Sequence, residues 1–114
     1  MEDCLFCKIS AGEMDTDFVY QDDQVVVFED INPQAPVHLL IVPKKHIADL
    51  NNLQPADNEL IGHIYQVAKK MAAEYDIAES GYRLVSNCGD DGCQSVYHIH
   101  FHLLGGRKLQ WPPG

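Results

Sequence analysis

A chain of 114 residues with an apolar fraction of 46% is long enough to close one hydrophobic core without covalent staples, so a single domain spanning 1–114 is expected. Its formal net charge of −9 and pI near 4.8 would repel a phosphate polymer, which argues against nucleic-acid binding but admits a single nucleotide in a locally neutral cleft. The acidic start Met1-Glu2-Asp3-Cys4 lacks the basic and apolar regions of a signal peptide, and no apolar run approaches the roughly 20 residues of a membrane helix. A cytoplasmic protein without membrane contact is therefore expected, with its four cysteines as thiols or metal ligands.

In chain order, Cys4-Leu5-Phe6-Cys7 is the first feature, a C-x2-C knuckle able to supply half of a tetrahedral zinc site; Phe6 and Ile9 beside it are apolar and read as core. Phe18-Val19-Tyr20 and Val25-Val26-Val27-Phe28 flank the acidic turn Asp22-Asp23-Gln24, which predicts a β-hairpin. Asp30-Ile31-Asn32-Pro33-Gln34-Ala35-Pro36 carries two prolines and reads as a loop. A strand over Val37–Val42, ended by Pro43, contains His38 among apolar neighbours, where a hydrogen-bonded core histidine is the ordinary outcome. Ile47-Ala48-Asp49-Leu50 suggests a short helix. Leu60, Ile64, Val67, Met71 and Tyr75 recur at three and four, so a long amphipathic helix from Pro55 to about Tyr75 is predicted, with His63 as a surface residue. Tyr82–Asn87 is another strand, and the glycine-containing Cys88–Ser95 segment a loop. The tail places Trp111 between proline-rich residues with no core of its own chain to enter, which points to packing on a second subunit.

Tyr97-His98-Ile99-His100-Phe101-His102-Leu103-Leu104 alternates strictly, as a half-buried strand does, with Tyr97, Ile99, Phe101 and Leu103 on the core side and three histidines on the other. Neighbouring histidines would stand roughly 7 Å apart and the outer two about 13 Å. Nitrogens bind zinc at about 2.1 Å, so His98 and His102 would not share an ion, and the row must divide its work. The middle residue, His100, is the best candidate nucleophile: a neutral imidazole that donates one N–H to a backbone carbonyl has its other nitrogen free to attack. His102 would bind phosphate oxygens, with Gln94 and Ser95 supplying an amide and a hydroxyl. Phosphoryl or nucleotidyl transfer suits these parts. The competing scheme is a zinc carrier built on Cys4, Cys7, Cys88 and Cys93.

These residues also resemble a known family. His98-Ile99-His100-Phe101-His102-Leu103-Leu104 is similar to the His-x-His-x-His-x-x motif of the histidine triad (HIT) nucleotide-binding proteins, and the likeness extends to Phe28–Pro36, Pro43-Lys44-Lys45-His46, Gly92–Ser95 and the tail. Gly105-Gly106-Arg107 with Trp111-Pro112-Pro113-Gly114 resembles the Hint branch. The resemblance implies an α+β fold with one long and one short helix and an antiparallel sheet extended across a homodimer. It implies hydrolysis of purine nucleoside phosphoramidates and aminoacyl adenylates through a nucleotidyl intermediate on His100, with an AMP- or GMP-type mononucleotide as product. On that mapping His102, Asn87, Gln94 and Ser95 surround the phosphate, Ser95 helps the amine leave, and His38 completes a polar relay near His98 and His100. Asp30 holds the ribose hydroxyls, Phe6, Ile9, Phe28 and Ile31 wall the base, and Trp111 reaches the neighbouring pocket. A structural zinc on Cys4, Cys7, His46 and His98 is implied as well. Cys93 stands where the branch usually has glycine, Cys88 where it often has an acidic residue, and Asp15 where a proline is common. A nucleotide-binding interaction module with incidental hydrolysis is the alternative function.

Overall fold

The computed structural model describes residues 3–114. Five strands form one antiparallel sheet: β1 (Tyr20–Gln21), β2 (Val25–Glu29), β3 (Val37–Pro43), β4 (Tyr82–Val85) and β5 (Phe101–Gly105), in the order β1-β2-β3-β5-β4. A short helix α1 (Leu5–Ser10) and a long helix α2 (Asn58–Glu74) complete the α+β architecture. The histidine-bearing β5 is thus an inner strand, with β3 on one side and β4 on the other.

Alternation along the strands divides the core between two sides. Val25 and Val27 of β2, Leu39 and Ile41 of β3, and Ile99, Phe101 and Leu103 meet Ile64, Val67, Ala68, Met71 and Ala72 of α2. These α2 residues recur at three and four, so one helical stripe is covered by the sheet. Met71 is fully buried, and truncating it to alanine would cost about 2–5 kcal/mol. The intervening residues Val26, Phe28, Leu40 and Val42 gather with Phe6 and Ile9 of α1. His38 and His102 lie on this second side by the same alternation, and α1 supplies much of the cover the histidines receive.

α2 is entered through a 3-10 turn at Pro55–Asp57, where the Asp57 carboxylate accepts from the Gln54 N–H (2.9 Å) and pairs with Lys45. At its other end Asp76 takes φ 59° and the Ile77 N–H returns to the Ala72 carbonyl (3.0 Å), closing the terminus.

The elements differ from expectation in several places: β1 is only Tyr20–Gln21, β4 stops at Val85, and α2 proper begins at Asn58 after its 3-10 entry. The regular ladder of β5 starts at Phe101, not Tyr97, because Ile99 N–H donates to Ile47 O (2.6 Å) in the preceding segment rather than to a ladder partner. Tyr97 is consequently 46% exposed, outside the core, while Ile99, Phe101 and Leu103 are buried as expected. The short helix expected at 47–50 is a 3-10 turn at Leu50–Asn52, started by the Asp49 side chain. The C-x2-C knuckle opens the helix α1, with Cys4 as its N-cap, rather than forming a turn alone. His63 is half-buried rather than a plain surface residue: its Nε2 meets Asp22 Oδ2 at 2.7 Å, tying α2 to the β1–β2 turn.

Candidate active site and metal centre

The His98, His100, His102 row stands on the α1 side, but burial there is deep: His98 is fully buried, His100 is 4% exposed and His38 6%. Phe6 packs edge-on against both His98 and His100, with centroids 6.2 and 4.9 Å away. Burial dominates the electrostatics. It lowers the His38, His98 and His100 pKa values, and it joins the His100 and His38 charges in pulling His102 down to about 4. All four rings are accordingly neutral near pH 7.

Backbone partners then fix the tautomers, because a carbonyl only accepts and an N–H only donates. His98 Nε2–H donates to Pro43 O (2.7 Å), which leaves Nδ1 as a lone pair. His100 Nδ1–H donates to His98 O (2.8 Å), which leaves Nε2 unprotonated and nucleophilic. Gln34 N–H donates to His38 Nδ1 (3.0 Å), so the His38 proton is on Nε2. That proton is directed to His102 Nδ1 (2.9 Å), so His102 carries its own on Nε2. Asp30 Oδ2 lies 3.4 Å from His38 Nε2 and 4.0 Å from His102 Nδ1, while Oδ1 accepts from Asn32 N–H (2.8 Å). Asp30, His38 and His102 are close enough to suggest a second metal group, but a proton shared between the rings already accounts for their approach. The relay expected of His38 therefore reaches His102, not His98 and His100, because β3 places it diagonally across from His102.

The first histidine has a separate set of neighbours. Cys4 Sγ and Cys7 Sγ lie 3.3 and 3.4 Å from His98 Nδ1, Cys7 Sγ 3.3 Å from His46 Nδ1, and the two ring nitrogens 3.2 Å apart. A tetrahedral ion with zinc-like bond lengths puts neighbouring N and S ligand atoms about 3.3–3.6 Å apart, so this cluster has the dimensions of a four-ligand metal site. Pro43 O supplies the outer hydrogen bond that orients a ligating imidazole. The four-cysteine alternative is not assembled: Cys88 and Cys93 belong to neither metal-type cluster among the described residues.

Among the remaining expected residues, Phe6, Ile9 and Phe28 are buried together, with Phe6 and Phe28 edge to face at 5.8 Å. Ile31 is fully exposed on its loop and does not join them. Asn87, half-buried, follows β4, whose Val85 lies opposite His102. Gln94, expected to offer its amide to the phosphate, instead spends it inside the loop: Nε2–H donates to Ala48 O (2.8 Å) and Val96 O (3.1 Å), and Oε1 accepts from Gly89 N–H (3.0 Å). It holds the loop from within. Cys93 adopts φ 64°, the conformation for which glycine is usual, so the loop follows a glycine-type path despite the thiol. Ser95 is exposed beside a cavity of about 670 Å³ whose walls include Leu5, His46, Ala48 and Tyr97 and none of the triad side chains. Trp111 is 81% exposed, with Arg83 over its ring at 6.0 Å.

A sandwich of α1 and α2 about an antiparallel sheet, with one buried imidazole freed for attack and another in a Cys2His2 knot, defines a histidine-row protein. Residues 3–110 match the family model described as scavenger mRNA decapping enzyme C-terminal binding. An uncharacterised HIT-like protein of Synechococcus elongatus is 49% identical over 113 residues, covering 99% of this chain and 98% of that protein. The crystal structure of a HIT family hydrolase from Legionella pneumophila superposes with a TM-score of 0.96 at 54% identity, over 98% of this chain and all of that one. A histidine triad protein from Clostridium difficile gives 0.93 at 44% identity, with 96% of both chains covered. The chain belongs to the histidine triad family.

Proposed function

We propose that the protein is a nucleotide-binding hydrolase that cleaves purine nucleoside phosphoramidates, of the adenosine 5'-monophosphoramidate and aminoacyl-adenylate type, through a nucleotidyl-His100 intermediate. The observation that carries this reading is the His100 Nδ1–H bond to His98 O, which leaves Nε2 as an unprotonated, buried nucleophile. The hydrolase names of structural relatives support the reaction class.

Nε2 of His100 attacks the phosphorus, and the Nε2–P bond forms as the P–N bond to the leaving amine breaks. The amine takes up the Ser95 hydroxyl proton, which Ser95 regains from the water of the second step. In an aminoacyl adenylate the P–O bond to the carboxylate breaks instead, and the carboxylate leaves as the anion without needing a proton. Ser95 Oγ at the entrance assists that departure, and His102 Nε2–H donates to a phosphate oxygen. Water then attacks the phosphorus, the bond to His100 breaks, and the mononucleotide leaves with His100 regenerated. Phe6, Ile9 and Phe28 would wall the base, with the exposed Ile31 of the loop available to it. Asp30 would take the ribose hydroxyls with the carboxylate capacity its internal bonds leave, and Asn87 and the Gln94-braced loop would flank the phosphate.

Zinc on Cys4, Cys7, His46 and His98 would be structural, since four protein ligands leave no position for substrate. The outer edge of β4 and the exposed Tyr65 and Tyr82 support a homodimer with the sheet continued across it. Trp111 would reach the partner's pocket. No helix among the described residues is long and apolar enough to cross a membrane, in keeping with a cytoplasmic role on a small nucleotide.

The test is turnover of adenosine 5'-monophosphoramidate beside mononucleotide affinity, in the unmodified protein and in His100→Ala. The variant should lose at least about a thousandfold in kcat, as expected when a nucleophile is removed, with Kd for AMP within about threefold. Full activity in the variant ends the assignment. Tight binding with negligible turnover in the unmodified protein would favour the interaction module.

A further inference from the structure

Arg107 belongs to none of the sites above, yet its guanidinium grips one backbone carbonyl with two donors: Nε and Nη2 reach Gln34 O at 3.2 and 2.9 Å, while Nη1 donates to Lys108 O at 3.1 Å. No carboxylate lies within ion-pair distance of it among the described residues. A charged fork spent on a neutral carbonyl invites the question of what that carbonyl holds. Gln34 is the residue whose N–H donates to His38 Nδ1 (3.0 Å), and His38 Nε2 in turn meets His102 Nδ1 (2.9 Å).

We propose that Arg107 is the positioning residue for His102, acting through Gln34 and His38: by pinning Gln34 it holds the N–H that sets the His38 tautomer, which sets that of His102. Each link has one polarity. If Gln34 moves away, His38 is free to carry its proton on Nδ1, and its Nε2 no longer donates to His102. His102 is then free to protonate at Nδ1 and lose the Nε2–H directed at the phosphate. The inference rests on the proposed hydrolase only for that last consequence.

The loop needs such a latch. Ile31, Asn32, Pro33 and Gln34 are all exposed, and the loop's own bonds, Asn32 N–H to Asp30 and Gln34 Nε2–H to Asn32 O, lie within it. Gly106 makes the latch possible. It takes φ 90°, and a Cβ there would lie 2.9 Å from Pro36 Cβ, so only glycine lets the tail run close enough to the loop for Arg107 to reach Gln34. This gives the Gly106-Arg107 pair a physical task beside the triad.

The experiment is long-range proton–nitrogen NMR of the histidine rings in the ligand-free protein at about pH 8, for the unmodified chain, Arg107→Ala and Arg107→Lys. In the unmodified protein His38 and His102 should each give the pattern of a ring protonated on Nε2 alone. Arg107→Ala should shift both toward mixed tautomers, while His100, held by His98 O, keeps its Nδ1–H pattern as an internal control. Arg107→Lys, which retains a single cationic donor, should restore part of the effect. On adenosine 5'-monophosphoramidate, Arg107→Ala should lower kcat about tenfold with KM within about threefold, the scale of a lost charged hydrogen bond felt in the chemical step. Unchanged His38 and His102 tautomers in a folded Arg107→Ala protein overturn the relay. Shifted tautomers with unchanged kcat overturn its catalytic role. If the unmodified chain does not turn over the phosphoramidate, the hydrolase reading fails while the ring spectra still decide the relay.

Discussion

Acidification should unfold this protein partly through His102, and the effect can be isolated in one residue. His102 is lowered from the ordinary histidine value of 6.5 to about 4, chiefly by burial and then by the neighbouring His100 and His38. The unfolded chain binds a proton at this position below about pH 6.5, and the folded chain only below about 4. Between those values the unfolded state holds more protons, so stability rises with pH and is lost as pH falls. The ceiling of the loss is about 3 kcal/mol, of which about 2 kcal/mol is reached by pH 5. Urea denaturation near pH 7.5 and pH 5 measures it, with slopes of about 1–3 kcal/mol/M converting it into a midpoint shift of about 0.7–2 M. Other histidines and the Cys4, Cys7, His46 and His98 cluster contribute to the raw pH dependence. The informative quantity is the difference between the unmodified protein and His102→Gln, which retains a polar group but removes the titration. That difference should approach 2 kcal/mol. Equal losses in the two proteins would refute the argument that burial holds His102 neutral.

Two further outcomes are expected. Protein purified without chelator should hold one zinc per chain by elemental analysis, and stripping it should lower stability by about 4 kcal/mol when free zinc stands a thousandfold above its Kd. The chemical step should suffer less than stability, since the four ligands leave no position for substrate; absence of zinc would refute the assignment. Truncation after Arg107 should leave a folded dimer by sedimentation, with altered discrimination among amine leaving groups and nucleotide affinity within about threefold. His100, Asp30 and the two Arg107 bonds to Gln34 O remain, and only the Arg107 bond to Lys108 O is lost. A monomer of undisturbed selectivity would contradict it.

Much of this was legible because period carries over into faces. Ile99, Phe101 and Leu103 alternate with the histidines, and those three do enter the α2 core; the α2 stripe is likewise buried, from Ile64 to Ala72. Spacing alone separated His98 from His102, and the structure gives them separate partners. What the sequence hid depends on groups far apart in the chain. Tyr97 looked like the next member of the alternating set, but the strand starts only where the β3 ladder reaches it. Gln94 looked like a free amide because nothing local discloses that Ala48 O waits 46 positions away. His63 read as surface, since the Asp22 carboxylate that engages it belongs to a turn 41 residues earlier. Arg107 figured only in the Gly105-Gly106-Arg107 resemblance and with no task of its own, because its acceptor is a backbone carbonyl, which every residue possesses. A glycine immediately before it was the one available hint of close approach.

The three histidines share a spacing but differ in what disciplines each ring, and that difference argues against exchanging their roles. His98 is oriented by the Pro43 carbonyl, so its Nδ1 is left for the Cys4, Cys7 and His46 cluster. His100 is oriented by the His98 carbonyl two residues back, a bond internal to the segment that leads into β5. A nucleophile benefits from that arrangement, because its free nitrogen is set by backbone and does not depend on another titrating group. His102 is oriented by a side chain, His38, and through it by an exposed loop. A proton donor to phosphate tolerates a longer chain of control, and it is also the member whose setting can be altered from outside the site. Under the proposed mechanism, the ring set by a backbone carbonyl and free of the metal-type cluster would perform the covalent step, and the ring with the most remote support would perform the one most open to tuning.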